Sequence, residues 1–455
     1  MFEFYRRFLP GFPAPVAIVP STRHYSWPKA GALLGIGQNN ILKVYVDLRA
    51  RVDIGNLADV LRGCLEKHVP VIAVVAVIGS TEESAVDPLV DILALRERFR
   101  KQGMEFAVHC DAAWGGYFNT MLRGGRRRKR SAIDVPAMSM SRYVVKQYRA
   151  LRHADSITVD PHKAGYVPYP AGGLCYRNSA MRDLISLRAP VVFHSQTEPT
   201  VGVYGVEGSK PGAAAAGVYL AHRVIPLDKN GYGDILGKCM WTSTRLYCRL
   251  VTLADRDDRE PSRLKIVVFQ MLPAERRNEG EAAVENQRNY IRDNFVHRSN
   301  EDLRKLLKDD EKARELFMEL GSDQVILAYS FNFFDKSGKR VNTDAEKLKK
   351  LNDEVFNLCS IMDPRDNLNK KELIVTSSAF DVENYGNYFV DHYCTRLGIR
   401  NPNNLPVPFL ISTTMDPWTT DTTKGDFLEK VEDGLRNAFY RALNDLESRR
   451  WSPRR

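Results

Sequence analysis

Cysteine is scarce: seven in 455 residues, at positions 64, 110, 175, 239, 248, 359 and 394, with no CxxC pair. An odd, scattered set excludes a disulfide framework and a ribbon-type zinc site, and predicts a reducing compartment. Long apolar runs are missing too. The longest, Val69 to Ile78, is about half of a membrane span and predicts a buried strand. Met1-Phe-Glu-Phe-Tyr-Arg-Arg7 is followed by no apolar stretch, so no signal peptide is expected and the predicted location is cytoplasmic. Aromatic residues are absent from the densest basic run, Arg123-Gly-Gly-Arg-Arg-Arg-Lys-Arg130. With no rings to stack on bases, the segment 123–135 is expected to be a solvated insertion rather than a nucleic-acid contact, despite a net charge of +10. No internal repeat is present. What remains is ordinary globular composition, 44% hydrophobic and 27% charged, and the length predicts two domains, 1–230 and 231–455.

Strands are predicted at residues 14–22, 41–47, 69–78, 105–110, 157–159 and 172–176. Helices are predicted at 27–35, 54–68, 89–102 and 140–152. This alternation predicts an α/β fold, a mostly parallel sheet covered by helices. Helices at 208–223 and 234–253 follow, the second expected to bridge the domains. Strands at 265–271, 324–331, 373–377 and 409–412, with helices at 283–294, 300–319, 344–361 and 426–447, predict a smaller C-terminal α+β domain. The apolar spacing of the last helix predicts core packing.

Three strands of the first domain end in small or polar clusters: Gly79-Ser-Thr81, Asp111-Ala-Ala113 and Asp160-Pro-His-Lys163. The carboxyl ends of parallel strands share one edge, where open α/β sheets place their chemistry, so the clusters should converge. The strand of Ile157 and Val159 is expected to be buried and to break at Pro161. Lys163, flanked by Ala164, Gly165, Val167 and Pro168, is then expected to be partly desolvated, which favours a free amine. A lysine amine, an aspartate and a histidine suit pyridoxal phosphate. The amine holds the aldehyde as an imine, the carboxylate pairs with the pyridine nitrogen, an alanine leaves room for the flat ring, and an imidazole stacks on it. His109 and Cys110 lack HxxxH or CxxC spacing and are expected to fill a strand interior. Asp87, before Pro88, is expected to cap a turn and helix.

The sequence resembles the group II pyridoxal-phosphate-dependent amino-acid decarboxylases of the aspartate-aminotransferase-like fold (type I), above all their tyrosine decarboxylase branch. The resemblance rests on Arg23-His-Tyr-Ser-Trp27, Gly79-Ser-Thr-Glu-Glu83, Ala85-Val-Asp-Pro88, His109-Cys-Asp-Ala-Ala-Trp-Gly-Gly116, Asp160-Pro-His-Lys163 and Glu207-Gly-Ser-Lys-Pro-Gly212. It is dense over residues 14–230 and loose beyond. It implies that Lys163 carries the cofactor, Asp111 meets the ring nitrogen, and His24 and Ala113 sandwich the ring. Asp160 and His162 would sit near the phosphate, Thr81 near the ring substituents, and Ser209 would reach a phosphate in the partner subunit of a homodimer. A mobile loop of the family offers a tyrosine for proton delivery; Tyr204 is the nearest candidate, with Tyr166 and Tyr169 close in sequence. The implied reaction is decarboxylation of an L-amino acid, tyrosine or another aromatic one, to the amine and CO2.

Two departures accompany the resemblance. Family members carry an upstream glycine- and serine/threonine-rich loop that grips the phosphate, and residues 1–22 supply none. One strand, that phosphate site and part of the substrate pocket are therefore expected to be absent. Ile411 stands about where relatives often carry an arginine, beside Ser412, a candidate polar contact. A glutamate-type or aldehyde-forming relative, a non-catalytic homologue and a basic nucleic-acid-associated protein remain the alternatives.

Overall fold

The computed structural model describes residues 7–8, 10–124, 140–186, 201–204, 211–363, 365, 367, 371–420, 422 and 425–448. The basic run beyond Gly124 lies outside them. The first region consists of β1 (Val16–Pro20), α1 (Ser26–Leu33), β2 (Ile41–Val44), α2 (Ile54–Glu66), β3 (Val71–Val77), α3 (Leu89–Arg100), β4 (Ala107–Asp111), α4 (Arg142–Ala150), β5 (Ser156–Val159) and β6 (Gly173–Tyr176). Its sheet has the order β2-β1-β3-β4-β5-β6, parallel except for β6. Short β-branched runs such as Val71–Val77 suit strands covered on both faces. The predicted helix periodicities hold: Leu57, Leu61 and Cys64 of α2, and Leu89, Ile92, Leu95 and Phe99 of α3, are buried against the sheet.

Register places the strand ends together. Val77 is paired with Asp111 and Asp111 with Thr158, so the segments leaving β3, β4 and β5 emerge side by side. Glycine makes this crowding possible. Gly79 turns with φ +97°, and a Cβ on Gly115 would collide with the Ile78 carbonyl oxygen. One expectation fails here. Ile157 and Val159 are half-buried rather than buried, because β5 lies one strand in from the edge and β6 outside it is largely exposed.

Helix α5 (Ala213–Val224) begins later than predicted, and α6 (Tyr232–Val251) is buried along most of its length. Helix α6 packs on the turn Gly115–Leu122 of the first region and on β7 (Leu264–Val268) and β8 (Ile326–Phe333) of the second. The second sheet, β7-β8-β10-β9, is antiparallel throughout, with β9 at Thr376–Phe380 and β10 at Val407–Thr413. Around it run α7 (Glu281–Ile291), α8 (Asn300–Asp309), α9 (Glu311–Glu319), α10 (Ala345–Leu358), α11 (Asn387–Leu397) and α12 (Leu428–Ser448). The predicted helix 300–319 is two helices, since Asp310 turns extended and its side chain caps the second by accepting from Ala313 N. Ser412, the candidate polar contact, shares a hydrogen bond of 2.9 Å with Tyr329 inside the second sheet, and Ile411 packs in its core. Among the described residues no helix is long and apolar enough to cross a membrane.

The two regions are joined by buried polar contacts. Arg51 of the β2–α2 loop grips Asp323 through Nε at 3.0 Å and lies 3.5 Å over the Tyr143 ring. Gln324 donates to Tyr148 Oη at 2.7 Å.

Candidate active site

Lys163 reaches the carboxyl edge of the first sheet as predicted. Its neighbourhood is less apolar than expected: Nζ lies 3.1 Å from Asp160 Oδ2, and the side chain is 26% exposed. Ala164 and Val167, which follow it, are buried. The same Asp160 oxygen is 3.5 Å from His162 Nε2, while His162 Nδ1 bonds the Ala171 carbonyl and its ring lies against Tyr169, 3.8 Å between centroids. Asp160 N donates to the Ala113 carbonyl at 3.1 Å, stitching the ends of β4 and β5 together.

Asp111, the last residue of β4, is half-buried. Its Oδ1 accepts from Ala113 N at 3.3 Å and its Oδ2 from Trp27 Nε1 at 3.1 Å. His24 leaves the end of β1 in a turn held by Ser26, whose Oγ is 2.8 Å from His24 Nδ1. Burial lowers the His24 pKa first, and the positive charge of Lys163 lowers it further. Asp111 and Asp160 pull it back up. Those charges act on one imidazole because three chain segments meet there. Thr81 lines a cavity of about 390 Å³ with Arg23, His24, Glu82 and, from the second region, Ser378 and Tyr385. Ser209 lies outside the described residues.

Several predicted side chains have other employment. His109 does fill a strand interior, bonded to Ser156 Oγ at 2.8 Å and Thr158 Oγ1 at 3.2 Å. Asp87 caps no helix with its side chain: it is buried and accepts from Val52 N at 2.9 Å and Val77 N at 2.6 Å, tying the β2–α2 loop to β3. Tyr166 Oη donates to the Met415 carbonyl at 2.6 Å, whereas Tyr204 lies under the Arg182 guanidinium at 5.3 Å. Sequence reasoning missed two contributors. Trp27 stood in the motif beside His24, but its contact with Asp111 spans 84 residues. Tyr385, which donates to Glu83 from the second region, carried no local signal at all.

Glu83 also titrates unusually. Burial, then the charge of Glu82, pushes its carboxyl up to about 7, against hydrogen bonds from Tyr385 and Ser80. Its proton is held more tightly folded than unfolded, where 4.5 is usual. The stability it contributes is therefore full in acid and is lost as pH rises through about 7. A Glu83→Gln variant is expected to gain on the order of 2 kcal/mol over the wild type at alkaline pH and little in acid. Urea unfolding across the pH range measures this, and an equal effect at both ends would refute it.

Solved structures share the fold. Mouse CSAD superposes with a TM-score of 0.57 at 14% identity, covering 96% of this chain and 66% of that one. Oryza sativa TDC with PLP and tryptamine gives 0.56 at 12% identity, covering 98% and 66%. At such identities the likeness concerns the fold, that of the type I pyridoxal-phosphate-dependent decarboxylases.

Residues 13–251 match the pyridoxal-dependent decarboxylase conserved domain, and the chain belongs to that family. It is 41% identical over 244 residues to the L-tyrosine decarboxylase of Enterococcus faecalis and 38% identical over 244 residues to that of Levilactobacillus brevis. Aspartate 1-decarboxylase of Aliivibrio fischeri is 32% identical over 200 residues. The match to the two tyrosine decarboxylases takes in 50% of this chain but only 39% of each relative's length.

The residues present suit the family's cofactor. A primary amine, a carboxylate carrying two N–H donors and a half-buried imidazole stand around one strand-end crevice. The residues that follow Asp111, Ala112 and Ala113, are small.

Proposed function

We propose that the chain binds pyridoxal 5'-phosphate and decarboxylates an L-amino acid, tyrosine or another aromatic one, to the amine and CO2. The observation that carries this is the meeting of Lys163, Asp111, Asp160 and His24 at one sheet edge. Bound there, pyridoxal phosphate supplies an electron sink for the carbanion left when CO2 departs.

The roles divide by chemistry. Lys163 holds the cofactor's aldehyde carbon, and Asp160, 3.1 Å from Nζ, orients the amine. Asp111 holds a proton at the ring nitrogen. His24 would cover one face of the ring while Ala113, small, would leave room on the other. Thr81 would face the ring substituents, and Asp160 and His162 would stand toward the phosphate. Ser209 is assigned to the phosphate of a partner subunit. Tyr204 is the candidate proton donor, favoured over Tyr166 because the Tyr166 hydroxyl is committed to Met415.

The same proposal includes a homodimer, a cofactor-binding domain over 1–230, a smaller domain over 231–455, and a cytoplasmic location. Exposed Tyr219, Leu220 and Val224 on α5 and Leu33 and Leu34 at the end of α1 support a covering subunit. The test is amine formation from tyrosine, tryptophan, aspartate and glutamate after loading with pyridoxal phosphate. Tyramine is the expected main product. An amine from aspartate or glutamate alone would overturn the aromatic assignment, and no amine from any would overturn the activity.

A further inference from the structure

The turn that delivers His24 continues into the first turn of α1, and there Trp27 does something the neighbouring residues do not. Its indole N–H crosses from α1 to the end of β4 and donates to Asp111 Oδ2 at 3.1 Å. A tryptophan kept only for its bulk would leave that N–H to water or bury it at a cost. Here it is spent on Asp111, the carboxylate assigned above to the cofactor's ring nitrogen. Behind the pair is a supporting layer. The His109 ring meets the Trp27 ring edge-on at 5.6 Å, and both its nitrogens are held by hydroxyls of β5, Ser156 and Thr158. Thr158 is also the residue paired with Asp111 across β4 and β5. Three elements thus fix the orientation of a single carboxylate.

We propose that Trp27 is a positioning residue for the cofactor: its N–H holds Oδ2 of Asp111, turning Oδ1 toward the pyridine nitrogen of pyridoxal phosphate. One α1 turn then sets both the stacking imidazole and the carboxylate, so their spacing is built in before any ligand arrives. This rests on the cofactor-binding function proposed above. Trp27 touches no reacting atom; it acts through Asp111.

The test compares wild type with Trp27→Phe, which keeps a ring and loses the N–H. Affinity is read by spectroscopic titration with pyridoxal phosphate and with its 1-deaza analogue, in which carbon replaces the ring nitrogen. Wild type is expected to bind pyridoxal phosphate and form a visible band. Trp27→Phe is expected to bind it about 10-fold more weakly, the scale of one hydrogen bond to a charged group. Binding of the 1-deaza analogue, which gives Asp111 no nitrogen to meet, should be the same in both proteins. An equal loss with both ligands would make Trp27 a packing residue and overturn the inference, as would no loss with either. Wild type that binds neither would overturn the cofactor proposal itself, a result distinct from the other two. Thermal melting of each variant guards against misfolding. If Trp27→Phe does not fold, Trp27→Leu, which also lacks the N–H, is titrated instead, and weaker binding of the cofactor with unchanged binding of the analogue decides in the same way.

Discussion

A Lys163→Ala variant is expected to form no visible band with pyridoxal phosphate and to lose about 10³-fold or more of any decarboxylase rate, on the order of 4 kcal/mol in barrier. The chain contains many other lysines, but Lys163 combines three properties: a place past the end of a parallel strand, a carboxylate at 3.1 Å to aim the amine, and partial burial. Lys29, on exposed α1, can shift the His24 field but sits on the outside of the turn. An alanine at 163 removes the nucleophile without touching the hydrogen bond from Lys163 N to the Asp160 carbonyl, so the turn should persist. Circular dichroism and absorbance on the same sample separate loss of chemistry from loss of fold. A band retained by a folded Lys163→Ala protein would remove the lysine from the site.

The second large effect lies far from that crevice. Arg249 of α6 reaches Glu432 Oε2 at 2.9 Å and Asp426 Oδ2 at 3.1 Å, with Arg245 on the same Asp426 oxygen at 3.0 Å. Arg256 and Arg436 complete the ring around Glu432. Arg249 and Glu432 side chains are both only 4% exposed. Nearby Asp426 and Glu432 hold the Arg249 guanidinium charged against the burial that opposes it. Arg249→Ala leaves the Asp426 and Glu432 carboxylates short of a partner in a dry interior, and about 3 kcal/mol of stability is expected to go. The loss should appear as a lower urea midpoint with α6 released from the start of α12. An unchanged midpoint in Arg249→Ala would mean the network contributes little.

The sequence made some of this legible and hid the rest for physical reasons. β-branched runs and helical spacing are local, so Val71–Val77, α2 and α3 stand where expected, and parallel order follows from their alternation. Once the sheet is parallel, convergence of Gly79, Asp111 and Lys163 is a matter of topology. Asp87 was misassigned because a carboxylate before proline looks like a cap, whereas two amides from separate segments claim it. Helix α11 went unpredicted. Yet Phe389, Val390, Tyr393, Cys394 and Leu397 are spaced as one apolar face, and the helix closes on Gly398 in a left-handed turn, so this signal was present and overlooked. The contacts of Trp27 with Asp111 and of Tyr385 with Glu83 join residues far apart in the chain, and no local pattern announces such pairs.

The most direct test traps the cofactor on the chain. The protein is loaded with pyridoxal phosphate, reduced with borohydride, digested and analysed by mass spectrometry. A phosphopyridoxyl adduct on the peptide carrying Lys163, and on no other at stoichiometric loading, is the expected result. Label spread over surface lysines, or a principal adduct elsewhere, would contradict the assignment of this strand-end crevice as the cofactor site.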